Sequence, residues 1–202
     1  MALVEDTVPD RDFYILVAGA ALLAVCGIFL DSMPVLIASM IVAPLAPPIL
    51  ALSLGVIAGD GRLAGRSAGM LAISIFAAVA LAAGLTKISG HLAVDPVFIS
   101  FSAHIVLDIV IAVISGALAA YGFMQTKVGG VFMGLGVAVS LMPPLVATGI
   151  GLVSQDLIVW PVAALIFGLN IAGILAGSVI IFGMFGFGSE YKSLKRSRSF
   201  KI

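Results

Sequence analysis

Six stretches of the sequence are each long and apolar enough to cross a lipid bilayer, and they limit the fold more than any other feature. A bilayer core about 30 Å thick needs around 20 apolar residues per helix. Only 10% of the residues are charged, against roughly a quarter in soluble domains. The sequence therefore predicts an all-α polytopic membrane protein with transmembrane helices at 13–30, 33–58, 67–87, 102–124, 128–153 and 157–185.

The basic residues predict how these helices are oriented. With six crossings, nine of the ten Lys and Arg residues fall on the side of the two termini, and Lys87 is the exception. Basic residues concentrate on the cytoplasmic side of membranes. We therefore expect one transmembrane domain over 1–202 in the inner membrane, with both termini cytoplasmic and a basic cytoplasmic tail at 188–202. A net charge of zero suggests no nucleic-acid partner.

Three prolines interrupt the second stretch at its centre. A proline lacks the N–H group and clashes with the carbonyl four residues earlier. Pro44, Pro47 and Pro48 therefore release the carbonyls of Met40, Ala43 and Pro44. Carbonyls at this depth need partners in protein, water or a ligand. This pattern predicts a broken second helix, although a kink that only shapes packing would also explain it.

The fifth stretch carries a second pair of prolines at a similar depth. Pro143 and Pro144 release the carbonyls of Val139 and Ser140, so a broken fifth helix is predicted as well. Residues before a proline avoid helical backbone, which predicts extended geometry at Ala43, Ala46 and Met142.

The two proline segments align when the sequence is shifted by 96 residues. Six of eighteen positions match between 43–60 and 139–156, including both Pro-Pro pairs, Gly55 with Gly151 and Asp60 with Asp156. Each copy would contain three helices, at about 13–88 and 102–187, so the second copy would enter the membrane from the other side. The match predicts two inverted three-helix repeats, as in many secondary transporters. Coincidence among helices rich in Gly, Ala and Leu is the alternative.

Polar side chains inside the apolar stretches are candidates for a site. Asp108 is the acidic residue that lies clearly within such a stretch, and His104 lies four residues earlier on the same helix face. Ionisable residues within a membrane often mark pathways for ions or protons. Asp108 could bind a cation or relay protons with His104, and Asn170 could bind a released carbonyl or a solute. Hydrogen bonding between packed helices is the alternative for each.

The sequence contains, in order, "SMIVAPLAPPILALSLGVIAGDGRL", "LDIVIAVISGALAAYG", "GVAVSLMPPLVATGIGL" and "LIFGLNIAG". These segments resemble the motifs of a prokaryotic family of uncharacterised hydrophobic-domain membrane proteins, a domain of unknown function. The resemblance covers about 20–183 and implies no activity. By this resemblance, the motif positions are Pro44, Leu45, Pro48, Asp60, Asp108, Pro143, Pro144 and Asn170.

The sequence lacks the common motifs of nucleotide-binding and hydrolytic enzymes, and it has no Cys/His metal cluster. We expect no enzyme activity, no cofactor and no metal. The leading hypothesis is a homo-oligomeric transporter or channel for an ion or small polar solute, bound at the proline breaks with Asp108 and Asn170. The alternative is a sensor that holds an anionic ligand, such as a nucleotide or lipid headgroup, at Asp60, Arg62 and Arg66. A scaffold without a ligand is the third possibility.

Overall fold

The structure, a computed structural model, describes residues 10–90, 105–124, 130–154, 158–189, 191 and 193. The main elements of these residues are seven helices: α1 (Arg11–Phe29), α2 (Met33–Val42), α3 (Ala46–Ala58), α4 (Gly61–Ser89), α5 (Ile105–Met124), α6 (Gly130–Ser154) and α7 (Val159–Met184). Five helices are long and apolar enough to cross a membrane, and α2 with α3 forms a sixth candidate span, bent by 48°. The chain is thus an all-helical, multi-pass membrane protein, as the sequence predicts.

Polar caps and a left-handed glycine determine where several helices begin and end. Asp10 accepts a 2.9 Å hydrogen bond from the backbone N–H of Phe13 at the start of α1. Gly59 ends α3 with φ +62°, in the left-handed region that glycine adopts at low cost. The N–H of Asp60 then donates to the carbonyl of Gly55 at 2.8 Å. These contacts produce a tight turn between α3 and α4.

The predicted break in the second span is present between α2 and α3. Ala43 is extended, with φ −66° and ψ 115°, because Pro44 disfavours helical backbone in the residue before it. Pro47 and Pro48 lie in the first turn of α3, where the missing N–H groups would have no intrahelical partner anyway. Ala46 also begins α3, so the prediction of extended geometry at this residue is wrong.

The predicted break in the fifth span is absent, because α6 is helical through Pro143 and Pro144. Met142 is therefore helical too, and the prediction of extended geometry there is wrong. The difference has a local cause. With the shift of 96 residues, Ser140 occupies the position of Pro44, so α6 lacks the proline that starts the break. The Ser140 hydroxyl instead donates to the carbonyl of Gly136 at 3.4 Å.

Close contact between α5 and α7 holds the second half of the protein together. A Cβ atom at Gly177 would overlap the carbonyl oxygen of Val113, and one at Gly173 would lie 2.9 Å from the Cβ of Ala112. The hydroxyl of Ser178 donates to the carbonyl of Gly116 at 3.1 Å. Small residues allow this approach, which is how membrane helices commonly gain packing energy. Among the five spans that consist of a single helix, α6 is the most buried, with 61% of its most apolar stretch inside the protein.

Candidate functional site

A cavity of about 170 Å³ lies between α5, α6 and α7. Helix α6 contributes its proline segment, α5 contributes two residues of its first two turns, and α7 contributes the face from its start to its middle. The cavity is lined by Asp108, Ile111, Val139, Ser140, Pro143, Pro144, Ala147, Val159, Val162, Ala163, Ile166 and Asn170.

Asn170 connects α7 to the carbonyl that a proline releases in α6. Its Nδ2 donates a 2.7 Å hydrogen bond to the carbonyl oxygen of Ser140. In an uninterrupted helix that oxygen would accept from the N–H of residue 144, which is proline here. The side-chain amide thus replaces the missing backbone donor and allows α6 to continue as a helix.

The hydrogen bond from Nδ2 also determines which atom of the Asn170 amide stays available for another hydrogen bond. A carbonyl oxygen can accept only from the NH2 of the amide, so Oδ1 must point elsewhere. Asn170 is 5% exposed, and within the described part of the chain its Oδ1 has no hydrogen-bond partner. A buried acceptor without a partner costs about 1–3 kcal/mol. Asn170 therefore brings an unsatisfied hydrogen-bond acceptor to the cavity lining.

Asp108 adds a titratable carboxyl group to the same lining. It is half-buried in the first turn of α5, and it is the one ionisable residue among the described residues that line the cavity. The other lining groups are almost all apolar side chains. His104, the predicted partner of Asp108 in a proton relay, lies outside the described residues.

The structure brings together only part of the predicted site. Six predicted residues line the cavity: Asp108, Val139, Ser140, Pro143, Pro144 and Asn170. Five others belong to the first proline break and are absent from that lining: Met40, Ala43, Pro44, Pro47 and Pro48. Met40, Ala43 and Pro48 are buried, whereas Pro44 and Pro47 are half-buried. The two proline segments therefore do not share this cavity.

Sequence reasoning missed the apolar members of the lining. On α7 these are Val159, Val162, Ala163 and Ile166, which repeat every three or four residues and lead to Asn170. Such spacing places residues on one helix face. The signal was present in the sequence, but in an apolar membrane helix every face offers residues of this kind.

The residues of the predicted anion site, Asp60, Arg62 and Arg66, lie at the start of α4. One oxygen of the Asp60 carboxylate accepts from the N–H of Leu63 at 3.3 Å, and the other accepts from the Tyr191 hydroxyl at 3.0 Å. Asp60 thus puts a negative charge at the helix end where an anion would bind. Arg62 and Arg66 are exposed.

Tyr191 connects the segment after α7 to the turn between α3 and α4. Burial raises the pKa of the Tyr191 hydroxyl to about 12, and the hydrogen bond to Asp60 and the negative charge of Asp60 contribute to the same shift. The tyrosine is therefore protonated at physiological pH, so it can donate to Asp60. Nearby, the ring of Phe187 stacks on Phe182 with centroids 5.5 Å apart.

The described residues contain no group of three or more His, Cys, Asp or Glu side chains that could hold a metal ion.

Comparisons with known proteins give a family but no activity. The chain is 30% identical over 189 residues to an uncharacterised protein of Methanocaldococcus jannaschii, an alignment that covers 90% of this chain and 56% of that relative. The chain thus spans little more than half the length of that relative. No solved structure matches it. The family model described as Domain of unknown function (DUF389) matches residues 40–176, more than half of the chain, and the chain belongs to this family.

Proposed function

We propose that this protein is a transporter- or channel-like membrane protein that moves an ion or small polar solute through the cavity between α5, α6 and α7. One observation carries the proposal. Within an apolar cavity, the carboxyl group of Asp108 and the unsatisfied Oδ1 of Asn170 belong to the same lining. Polar groups at membrane depth are costly, and they commonly mark pathways for solutes.

The extent of the cavity along the helices supports a pathway. Its lining on α7 runs from Val159, the first residue of the helix, to Asn170. The eleven residue-to-residue steps between them, at a rise of 1.5 Å each, correspond to about 16 Å, roughly half the thickness of a bilayer core. A solute that enters at the start of α7 would thus reach the membrane interior at Asn170.

The proline pair in α6 has a specific part in this proposal. Pro144 releases the carbonyl of Ser140, and Asn170 binds that carbonyl through Nδ2. The carbonyl of Ser140 is therefore not left bare for a solute. Instead, the amide of Asn170 replaces it with a side-chain acceptor, Oδ1. We expect the solute to meet Oδ1 in place of the Ser140 carbonyl.

We also propose that the six spans form two inverted three-helix repeats. Shifting the bounds of the three spans in the first half by 96 gives 107–125, 129–154 and 157–185, close to the bounds of α5, α6 and α7. A Cβ at Gly55 would lie 2.7 Å from the N atom of Ala64, and one at Gly151 would lie 2.8 Å from the N atom of Trp160, at the same spacing. The contacts between the two halves are also reciprocal. Helix α4 contacts α6, and α7, the counterpart of α4, contacts α3, which aligns with part of α6.

Labelling from one side of the membrane tests the inverted arrangement. Arg62 and Ile158 are exposed and differ by 96 positions, so inversion places them on opposite sides. With the native Cys26 replaced by serine, Arg62→Cys is expected to react with an impermeant maleimide only from the cytoplasm, and Ile158→Cys only from the opposite side. Labelling of both cysteines from the same side would contradict the inverted repeat.

Solute movement in proteoliposomes tests the transport proposal. We expect entry of a small solute, followed by light scattering for neutral solutes and by a potential-sensitive dye for ions, to exceed the rate in empty liposomes. Asp108→Asn should slow this entry at least about tenfold if the carboxylate contributes a charged hydrogen bond of about 1.5–3 kcal/mol.

Asp12→Asn is the matched control, because Asp12 is the exposed residue 96 positions before Asp108. Its rate should equal that of the unchanged protein. Rates no faster than empty liposomes for every solute would contradict the transport proposal. Cytoplasmic termini and a homo-oligomeric state stay predictions, and light scattering from the purified protein would measure the latter.

A further inference from the structure

We propose that the cavity selects a small organic cation, with an N–H donor at one end and an apolar body of about five heavy atoms. This inference rests on the proposed function in taking the cavity as the solute site, and it adds the class of solute.

The polar groups on the lining suit a donor with a positive charge. Asp108 is the acidic residue of this lining, and none of the described residues that line the cavity is basic. Asn170 is nine-tenths buried, its Nδ2 is bound to Ser140, and its Oδ1 can only accept. An anion beside Asp108 and the Oδ1 acceptor would be repelled by both groups, whereas an ammonium group supplies both the positive charge and N–H donors.

The number of oxygen atoms disfavours a bare metal ion. Calcium takes six to eight oxygen ligands, and magnesium requires a nearly ideal octahedral set. Among the described residues of the lining, the side chains that carry oxygen are Asp108, Ser140 and Asn170. Three such residues among nine apolar ones supply fewer side-chain oxygen atoms than a full coordination shell of either ion contains.

The volume and the apolar lining suit a solute with a short hydrocarbon part. A dry cavity of about 150 Å³ lined by aliphatic and aromatic side chains holds benzene, a molecule of six heavy atoms. This cavity is of similar size, about 170 Å³. Ile111, Val162 and Ile166 would contact the hydrocarbon part, and each buried methylene group would contribute about 0.8 kcal/mol.

Binding of matched probes to the full chain in lipid nanodiscs tests this inference. Trp160 is the one tryptophan of the sequence and adjoins Val159 of the lining, so its fluorescence can report binding. We expect n-butylammonium to bind saturably, about ten- to a hundredfold more tightly than 1-butanol, butyrate or sodium ion. Tetramethylammonium, which has the same charge and as many heavy atoms but no N–H, should bind about tenfold more weakly than n-butylammonium.

Variants of Asp108 separate the role of the charge from that of the shape. Asp108→Asn should lose the preference for n-butylammonium over 1-butanol, Asp108→Glu should keep it, and Asp12→Asn should behave as the unchanged protein. Equal binding of 1-butanol would overturn the inference in favour of an apolar site that lipid fills. Tighter binding of sodium would overturn it in favour of an inorganic ion, and equal binding of tetramethylammonium would exclude the hydrogen bond to Asn170.

Binding and transport can fail separately. Binding of n-butylammonium without any solute movement in proteoliposomes would reject the proposed function and leave the cation site intact. Movement of another solute without binding of n-butylammonium would reject the inferred class of solute and leave the proposed function intact. The probe comparison on the unchanged protein decides the matter even if a variant does not fold.

Discussion

Gly177→Ala is expected to lower the unfolding temperature of the purified protein strongly, because it forces α5 and α7 apart. The new Cβ would overlap the carbonyl oxygen of Val113 and lie 2.9 Å from the N atom of Ala117. Both are backbone atoms, so no side-chain rotation can relieve the clash. Overpacking of a well-packed core costs about 1–3 kcal/mol and occasionally more, and here whole helices must move. Tryptophan fluorescence during heating would measure the change.

Gly168→Ala is the matched control for this prediction. Gly168 lies on the same helix and is exposed, and a Cβ atom added there would have no neighbouring atom within 4 Å. Alanine is more favourable than glycine in a helix by about 1 kcal/mol, so this variant should be as stable as the unchanged protein or more stable. A similar loss of stability in both variants would mean that the α5–α7 contact is not as close as described.

Asn170→Leu is expected to destabilise the protein by about 1–3 kcal/mol, because it leaves the carbonyl of Ser140 buried without a donor. Pro144→Ala supplies a backbone N–H to the same carbonyl. In the Pro144→Ala background, Asn170→Leu should therefore cost much less than in the unchanged protein. Reversible unfolding of the four proteins of this double-mutant cycle would give a coupling energy of about 1–2 kcal/mol between the two positions.

Ser74→Ala provides a control for this double-mutant cycle of Asn170 and Pro144. The hydroxyl of Ser74, which lies 96 positions before Asn170, donates to the carbonyl of Met70 in its own helix at 2.8 Å. Ser74→Ala in the Pro144→Ala background should therefore show purely additive effects. If the effects of Asn170→Leu and Pro144→Ala also add without coupling, Asn170 does not compensate for the proline.

Hydropathy located the membrane spans, but it did not locate the helix ends. The third span was predicted at 67–87, whereas α4 is Gly61–Ser89. The helix starts earlier because Asp60 caps it and because Arg62 and Arg66 lie on exposed turns. Hydropathy measures which residues suit the hydrocarbon core, whereas capping depends on hydrogen bonds at the helix end.

The proline breaks illustrate where local rules suffice and where they fail. The rule for residues before proline correctly predicted extended backbone at Ala43. The same rule failed at Met142, which lies in α6. There, the missing donor is replaced by Asn170, which is 30 residues from Ser140 in the sequence. A rule that considers only neighbouring residues cannot include such a partner.

The polar part of the cavity was accessible to sequence reasoning, but the apolar part was not. Asp108 and Asn170 stand out because polar side chains are rare and costly within membrane spans. Val162 and Ile166 resemble many other residues in a chain that is 62% hydrophobic. Only the packing of α5, α6 and α7 distinguishes those that line a cavity from those that face lipid.

The contact between α5 and α7 also determines the order in which the protein can be assembled during synthesis. The two helices are separated in the sequence by the whole of α6. During synthesis α5 enters the membrane before α7. The face of α5 that contains Gly116 therefore has no α7 packed against it until α7 is inserted. The cavity beside Asp108 likewise lacks the wall from Val159 to Asn170 until then. The insertion of α7 therefore completes the packing around α5 and the wall of the cavity.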